Sequence, residues 1–212
     1  MSDSQRLDRL RAIAEERCAD AEPGHDFLHV LRVAENARRI AAAEGADGEV
    51  AVAAALLHEL FNYPKDHPES HLSGEVCADR AAEVLRAEGW EAERSDAVCY
   101  AIRVHSFSRG IYPESLAAKV MQDADRLDAI GAIGIARCFS TGAEMRRPFY
   151  NPADPFCRER TPQDKEWTLD HFYRKLLKIP ETLHTTTARK LAAERVEFLE
   201  QFLAQLGREL GA

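Results

Sequence analysis

The chain has 212 residues, 45% of them hydrophobic, and a formal charge of −8 at pH 7, a size and balance suited to a globular protein with a generous core. The negative charge excludes duplex nucleic acid as the expected partner, because non-specific binding depends on Lys and Arg displacing condensed counterions. A small anionic substrate stays open, since a bound cation and a few basic side chains set the field inside a pocket.

No apolar run approaches the roughly 20 residues that span a bilayer, and Met1–Leu10 is followed by no apolar signal region, so neither a membrane nor a secretory route is expected. The five cysteines (Cys18, Cys77, Cys99, Cys138, Cys157) are odd in number, scattered and never spaced C-x-x-C. They point to reduced thiols in a cytoplasmic protein rather than to disulfides or structural zinc; a homo-oligomer is left open.

Alanine, leucine, glutamate and arginine dominate and apolar residues recur at helical intervals, so the expected fold is all-α. Residues 3–20 place Leu7, Leu10, Ile13 and Ala14 on one stripe and stop before Glu22-Pro23-Gly24. Residues 26–44 follow, with Asp26 as N-cap, Phe27, Val30, Leu31, Ala34 and Ala37 apolar, and Gly45 just past the end. Residues 48–60 are apolar almost all round, which predicts a buried central helix. A proline-containing connection at 62–72 leads to helices at about 73–88, 95–105 and 115–139, with breaks at Gly89 and Gly110. The stretch 142–165, rich in Pro, Asp and Arg, reads as a long loop of the kind that is usually functional or disordered, and Arg146, Arg147, Arg158 and Arg160 in it suit phosphate geometry. Helices return at roughly 166–178 and 185–209, the latter introduced by three threonines and carrying Leu191, Val196, Phe198, Leu199, Phe202, Leu203 and Leu206. No repeat, low-complexity tract or linker divides the chain, so residues 1–212 are expected to form a single helical domain.

Four clusters could carry chemistry: His25-Asp26-Phe27-Leu28-His29, His58-Glu59, Lys65 with His67 and His71, and the acids Asp123, Asp125 and Asp128. A single helical histidine is most often a surface or satisfied core residue. The His58-Glu59 pair is different, because adjacent ionisable groups inside an alanine-leucine helix lose several kcal/mol to desolvation unless paired or bound to a metal. Its ordinary alternative is a polar helix end emerging into solvent near Asn62. The three acids repel one another unless a cation or an arginine sits among them, or they mark a helix N-terminus; the buried small-residue segment that follows favours a site at that helix's start. Two imidazoles and two carboxylates from separate helices make a mixed nitrogen and oxygen set suited to Mn, Fe, Zn or Mg, with positions open for water and substrate.

The order His29, His58-Glu59, Asp125 resembles the pattern of the HD superfamily of phosphohydrolases, and the chain is similar to its YedJ/YpgQ-like bacterial subgroup. The likeness runs through His25-Asp26, His29-Val30-Leu31-Arg32-Val33, Leu56-Leu57-His58, Pro64-Lys65-Asp66-His67-Pro68, His105-Ser106-Phe107-Ser108, Gln122 to Gly131, Asp154-Pro155-Phe156-Cys157 and His171 to Leu177. The resemblance implies an HD-domain helical bundle whose metal ligands are His29, His58, Glu59 and Asp125, with Glu59 standing where the family has Asp. It implies a divalent ion, Mn or Mg first and Fe, Zn or Ni as alternatives, and a small phosphorylated substrate, in particular a nucleotide. Hydrolysis of a phosphate ester or anhydride would then draw on Lys65 as a phosphate contact, Asp128 to orient water or a substrate hydroxyl, and His105 as general acid. Two other readings compete: an HD-type di-iron oxygenase recruiting His71 and His105, and a catalytically silent binding protein that has lost its metal through Glu59.

Overall fold

The computed structural model describes residues 2–19, 25–63, 67–106 and 110–211, and they fall into two compact units: Met1–Asp125 with His184–Thr187, and Arg126–Leu183 with Ala188–Ala212. Among the described residues there are helices and no strands, which bears out the all-α expectation.

In the first unit, α1 (Asp3–Arg17) opens at a capping box, Ser2 Oγ accepting from the Gln5 amide while the Gln5 side chain accepts from Ser2 N. Helix α2 (Phe27–Glu44) starts where Asp26 accepts from His29 N at 2.9 Å and stops at Gly45, whose left-handed φ of 69° favours glycine. Its buried stripe of Val30, Val33, Ala34, Ala37, Ile40 and Ala41 packs against α3 (Gly48–Leu57), where Ala51, Ala53, Ala54 and Ala55 have no side chain beyond Cβ to hold the two backbones apart. Helix α3 also meets α1 and α5 (Ala92–Val104), and α4 (Ser73–Ala87) packs on α5, so α3 is the buried centre. Full burial of its Leu57 contributes about 1.5–3 kcal/mol.

Helix α3 ends at Leu57, three residues short of the span read from hydrophobicity. The last turn is satisfied from outside the helix: Leu60 N donates to Leu57 O, and the Cys77 thiol of α4 donates to both Leu57 O and His58 O at 3.3 and 3.1 Å. His58 thus becomes the helix cap and Glu59 a turn residue.

The single helix expected over 115–139 is two, α6 (Leu116–Asp128) and α7 (Gly131–Glu144). The break is built into the chain: the amides of Ala129 and Ile130 turn back to Arg126 O and Leu127 O, and Gly131 takes φ 76°. Arg195 lies against Gly131, where an added Cβ would sit 3.2 Å from its side chain, and donates to Leu127 O. The three acids therefore occupy the C-terminal end of α6, not the start of the following helix as the sequence led us to expect.

The second unit takes the last turn of α6, then α7, α8 (Asp170–Arg174), a 3-10 segment (Leu176–Thr182) and most of α9 (Thr186–Leu210). Phe139, Phe149, Phe172 and Phe202 form its aromatic cluster, with ring centroids 5.2–6.2 Å apart. The helix expected at 166–178 is thus a short α-helix followed by a 3-10 segment containing Pro180, which has no N–H to continue an α-helix.

The loop from Met145 to Leu169 is held by its own polar groups. Asp154 accepts from Arg158 N and Glu159 N, Arg160 makes a two-pronged ion pair with Asp170 at 2.5 and 2.6 Å, and Arg147 donates to Asp164 O. Of the four loop arginines, Arg146 and Arg158 are exposed, whereas Arg147 and Arg160 are partly buried in these structural bonds. No helix among the described residues is long and apolar enough to cross a membrane.

Candidate metal centre

The helix starts and stops of the first unit converge its chemistry. The Asp26 cap sets the first turn of α2 and so places His29, which is fully buried. The abrupt end of α3 turns His58, 2% exposed, and Glu59 toward it. Helix α6 brings Asp125. His29 Nε2 lies 3.2 Å from His58 Nε2, 3.6 Å from Glu59 Oε1 and 3.6 Å from Asp125 Oδ1, and His58 Nε2 lies 3.7 Å from Glu59 Oε1.

These separations suit a cation. Donor atoms held at 2.0–2.2 Å by one ion, at angles between right and trigonal, stand roughly 3–3.7 Å from one another. The protonation states fit as well. His58 Nδ1 donates to Ala55 O at 2.7 Å, which leaves its Nε2 as a lone pair, and burial first of all pushes its pKa down to about 4. Burial pushes Glu59 up, but the hydrogen bond from His25 and the neighbouring imidazoles outweigh it and hold the carboxyl at about 2. The neutral imidazole of His58 and the ionised carboxylate of Glu59 are the forms that bind a metal.

Helix α4 grips the segment after His58. Besides the Cys77 bonds, Arg80 donates to Leu60 O at 3.4 Å with its guanidinium 4.2 Å from the Phe61 ring centroid, and Ser73 Oγ accepts from Tyr63 N at 3.1 Å. The Cys77 thiol is pushed up to about 12 by burial, which suits a hydrogen-bond donor and not a nucleophile.

His105 closes α5; its Nδ1 donates to Ile102 O at 2.6 Å and its ring stands edge-on to His58 at 5.4 Å. Asp128 falls in the second unit, 1% exposed, with Oδ2 accepting from Arg137 at 2.9 Å. Lys65, the expected phosphate contact, lies outside the described residues. His71 is exposed and its Nδ1 donates to Pro68 O at 3.2 Å. A cleft of about 350 Å³ in the second unit, lined by Phe156, Arg158, Tyr173, Leu203, Ala204 and Gly207, offers no carboxylate, imidazole or thiol donor.

Residue type and order alone assign no separate role to His25. Its Nδ1 donates to Glu59 Oε1 at 2.7 Å, and with His29 and Glu59 it forms a second donor group that shares His29 with the His29, His58 and Asp125 group. The four-residue spacing from His25 to His29 was the available signal. Cys77 left none, because a thiol on an apolar helix stripe reads as core.

An all-helical fold that gathers His58, Glu59 and Asp125 about the buried His29, with the two carboxylates in separate donor groups that share it, defines a class with a candidate metal centre at its core. The HD domain family profile matches residues 26–130. The chain is 35% identical over 214 residues to the uncharacterized protein YpgQ of Bacillus subtilis, covering 99% of this chain and 96% of YpgQ. The crystal structure of YpgQ in complex with ADP matches with a TM-score of 0.78 at 33% identity, over 99% of this chain and 97% of that one. An HD-superfamily hydrolase from Bacillus thuringiensis matches with a TM-score of 0.77 at 30% identity over 100% of both chains. The chain belongs to the HD-domain family, in the branch that includes YpgQ.

Proposed function

We propose that this protein is a metal-dependent phosphohydrolase that acts on a nucleotide, with Mn or Mg held by His29, His58, Glu59 and Asp125. The observation that carries the reading is the 3.2 Å approach of two buried imidazole nitrogens with carboxylate oxygens at 3.6–3.7 Å around them, an arrangement hard to sustain without a shared proton or cation. A bound divalent ion would lower the pKa of a water and polarise a phosphoryl oxygen. Family membership and the ADP complex of YpgQ support a nucleotide substrate.

The chain's own groups take the remaining tasks. His105, whose Nδ1 is engaged by Ile102 O, presents Nε2 as the group that exchanges a proton with the leaving oxygen. Lys65 remains the candidate phosphate contact. Asp128 we assign to ordering Arg137 and the turn after α6, in place of the substrate contact expected from sequence, because its buried carboxylate already accepts from that guanidinium. The di-iron reading is less well supported, since neither His71 nor His105 joins a donor group among the described residues. The silent-protein reading is weakened by Glu59 itself, whose carboxylate stands among the imidazoles.

The test is metal-free protein given Mn, Mg, Fe, Zn or Ni in turn with a panel of nucleoside mono-, di- and triphosphates and simple phosphate esters. Metal-dependent release of phosphate or pyrophosphate is expected, lost with metal retention in His58→Ala and Asp125→Ala. Turnover in His58→Ala equal to wild type would overturn the assignment.

A further inference from the structure

Glu59 carries one methylene more than the aspartate of the HD pattern, and the structure shows where that length goes. Its side chain is 8% exposed, and Oε1 meets His25 Nδ1 at 2.7 Å while staying 3.6 and 3.7 Å from the Nε2 atoms of His29 and His58. His25 is itself well placed. It immediately precedes the Asp26 cap of α2, and its ring stands edge-on to that of His29 at 5.7 Å. Because a carboxylate only accepts, the bond is donated by the imidazole.

We propose that His25 is a positioning residue for Glu59: its Nδ1–H anchors the longer carboxylate against the metal-facing imidazoles, so that glutamate and His25 work as a pair. The inference rests on the metal-centre reading above. An aspartate at this position would hold its carboxylate back by about one carbon–carbon bond, roughly 1.5 Å, which opens the 2.7 Å contact to about 4 Å and ends the hydrogen bond. His25 therefore matters to the metal when the carboxylate is glutamate and ceases to matter when it is aspartate. Outer partners of metal ligands typically govern 10–100-fold in affinity.

The experiment is calorimetric titration of Mn into the metal-free full chain, for wild type, His25→Ala, His25→Asn, Glu59→Asp and the His25→Ala/Glu59→Asp double variant, with circular dichroism to compare folding. His25→Ala should weaken Mn binding about 10–100-fold. His25→Asn should stay within about threefold of wild type, because its amide places an N–H two bonds from Cβ as the imidazole does. In the Glu59→Asp background, removing His25 should change affinity less than about threefold. Should His25→Ala not fold, His25→Phe keeps the ring and removes the N–H. The proposal is overturned if His25→Ala binds Mn as wild type does, if the loss is as large in the Glu59→Asp background, or if His25→Asn is as weak as His25→Ala, which would make His25 a ligand in its own right. Wild type that binds neither Mn nor any other divalent ion overturns the metal-centre reading along with it, whereas Mn binding indifferent to His25 overturns this inference alone.

Discussion

Asp123 should prove to be one of the costliest polar side chains of the first unit to remove. Its carboxylate is fully buried and accepts from His184 N at 2.9 Å, Thr185 N at 2.8 Å and Thr185 Oγ1 at 2.8 Å, which fastens the chain entering α9 to α6. Asp123→Ala strands three donors, of which the two on Thr185 are buried. At about 1–3 kcal/mol for each unsatisfied buried group, discounted for the partly exposed His184 amide, the loss is about 3–6 kcal/mol. That is a large share of the roughly 5–15 kcal/mol by which domains are stable. Asp123→Asn should lose less, about 1–3 kcal/mol: an oxygen in the Oδ2 position still serves both Thr185 donors and the 3.2 Å contact of the His184 amide, and only that amide's 2.9 Å bond to Oδ1 is replaced by a facing N–H. Urea denaturation of metal-free protein measures this, read as a lowered midpoint at constant slope. Because Asp125 lies two residues further along α6, Mn affinity should fall in the same order, Ala below Asn below wild type. A midpoint for Asp123→Ala that corresponds to a loss below about 1 kcal/mol, or an Asn variant weaker than the Ala variant, would refute the reasoning.

Stripping the metal should lower the melting temperature: at a free metal concentration near 100 times Kd the ion adds about 2.7 kcal/mol, or roughly 5–10 °C for a chain of this size, read by calorimetry with and without chelator. Asp170 should give a pH-dependent stability difference between wild type and Asp170→Asn. Burial pushes its carboxyl up, but the Arg160 guanidinium and Gln163 N–H hold it below the usual range; with the folded pKa depressed, the stabilisation is present above the unfolded value of about 3.9 and disappears as pH falls through the folded one. The advantage of wild type should accordingly be full at pH 7 and shrink steadily below about pH 4 in denaturation series. Gly142→Ala should cost about 1–3 kcal/mol by overpacking, since its Cβ would lie 2.3 Å from Thr168 Oγ1, and Thr168→Ala in the same chain should recover part of the loss.

The helices were legible where one signal dominated. Asp26 with Gly45 bounded α2, and the alanine-leucine run marked α3 as central, because caps and continuous apolarity act within a few residues. Where a helix ends through contacts made by distant residues, the sequence ran past the end. Cys77 takes up the carbonyl of Leu57 at the end of α3, and Arg195 takes up that of Leu127 at the end of α6; neither a thiol 20 positions away nor an arginine 68 positions away leaves a local trace. Residue type and spacing marked the clusters, and the resemblance to the HD pattern picked the four metal candidates out of them. The hydrogen bond from His25 to Glu59 could not be read, because it depends on how far the Glu59 side chain reaches in three dimensions.

The acids of α6 show why a cluster in sequence is a poor guide to a cluster in function. At the C-terminal end of a helix the backbone dipole disfavours negative charge, which bears on Asp125 and Asp128 in the last turn of α6, while Asp123 one turn earlier is fully buried, so each needs compensation. The structure supplies it separately. Asp123 is satisfied by the amides of His184 and Thr185 and Asp128 by the guanidinium of Arg137, while Asp125 Oδ1 lies 3.6 Å from His29 Nε2. Two of the three are thereby committed to holding the fold. Asp125 differs in the kind of partner it meets: a buried imidazole that also faces His58 and Glu59. Under the proposed metal-centre reading, replacing Asp125 should therefore cost metal affinity out of proportion to stability, whereas replacing Asp123 should cost both together.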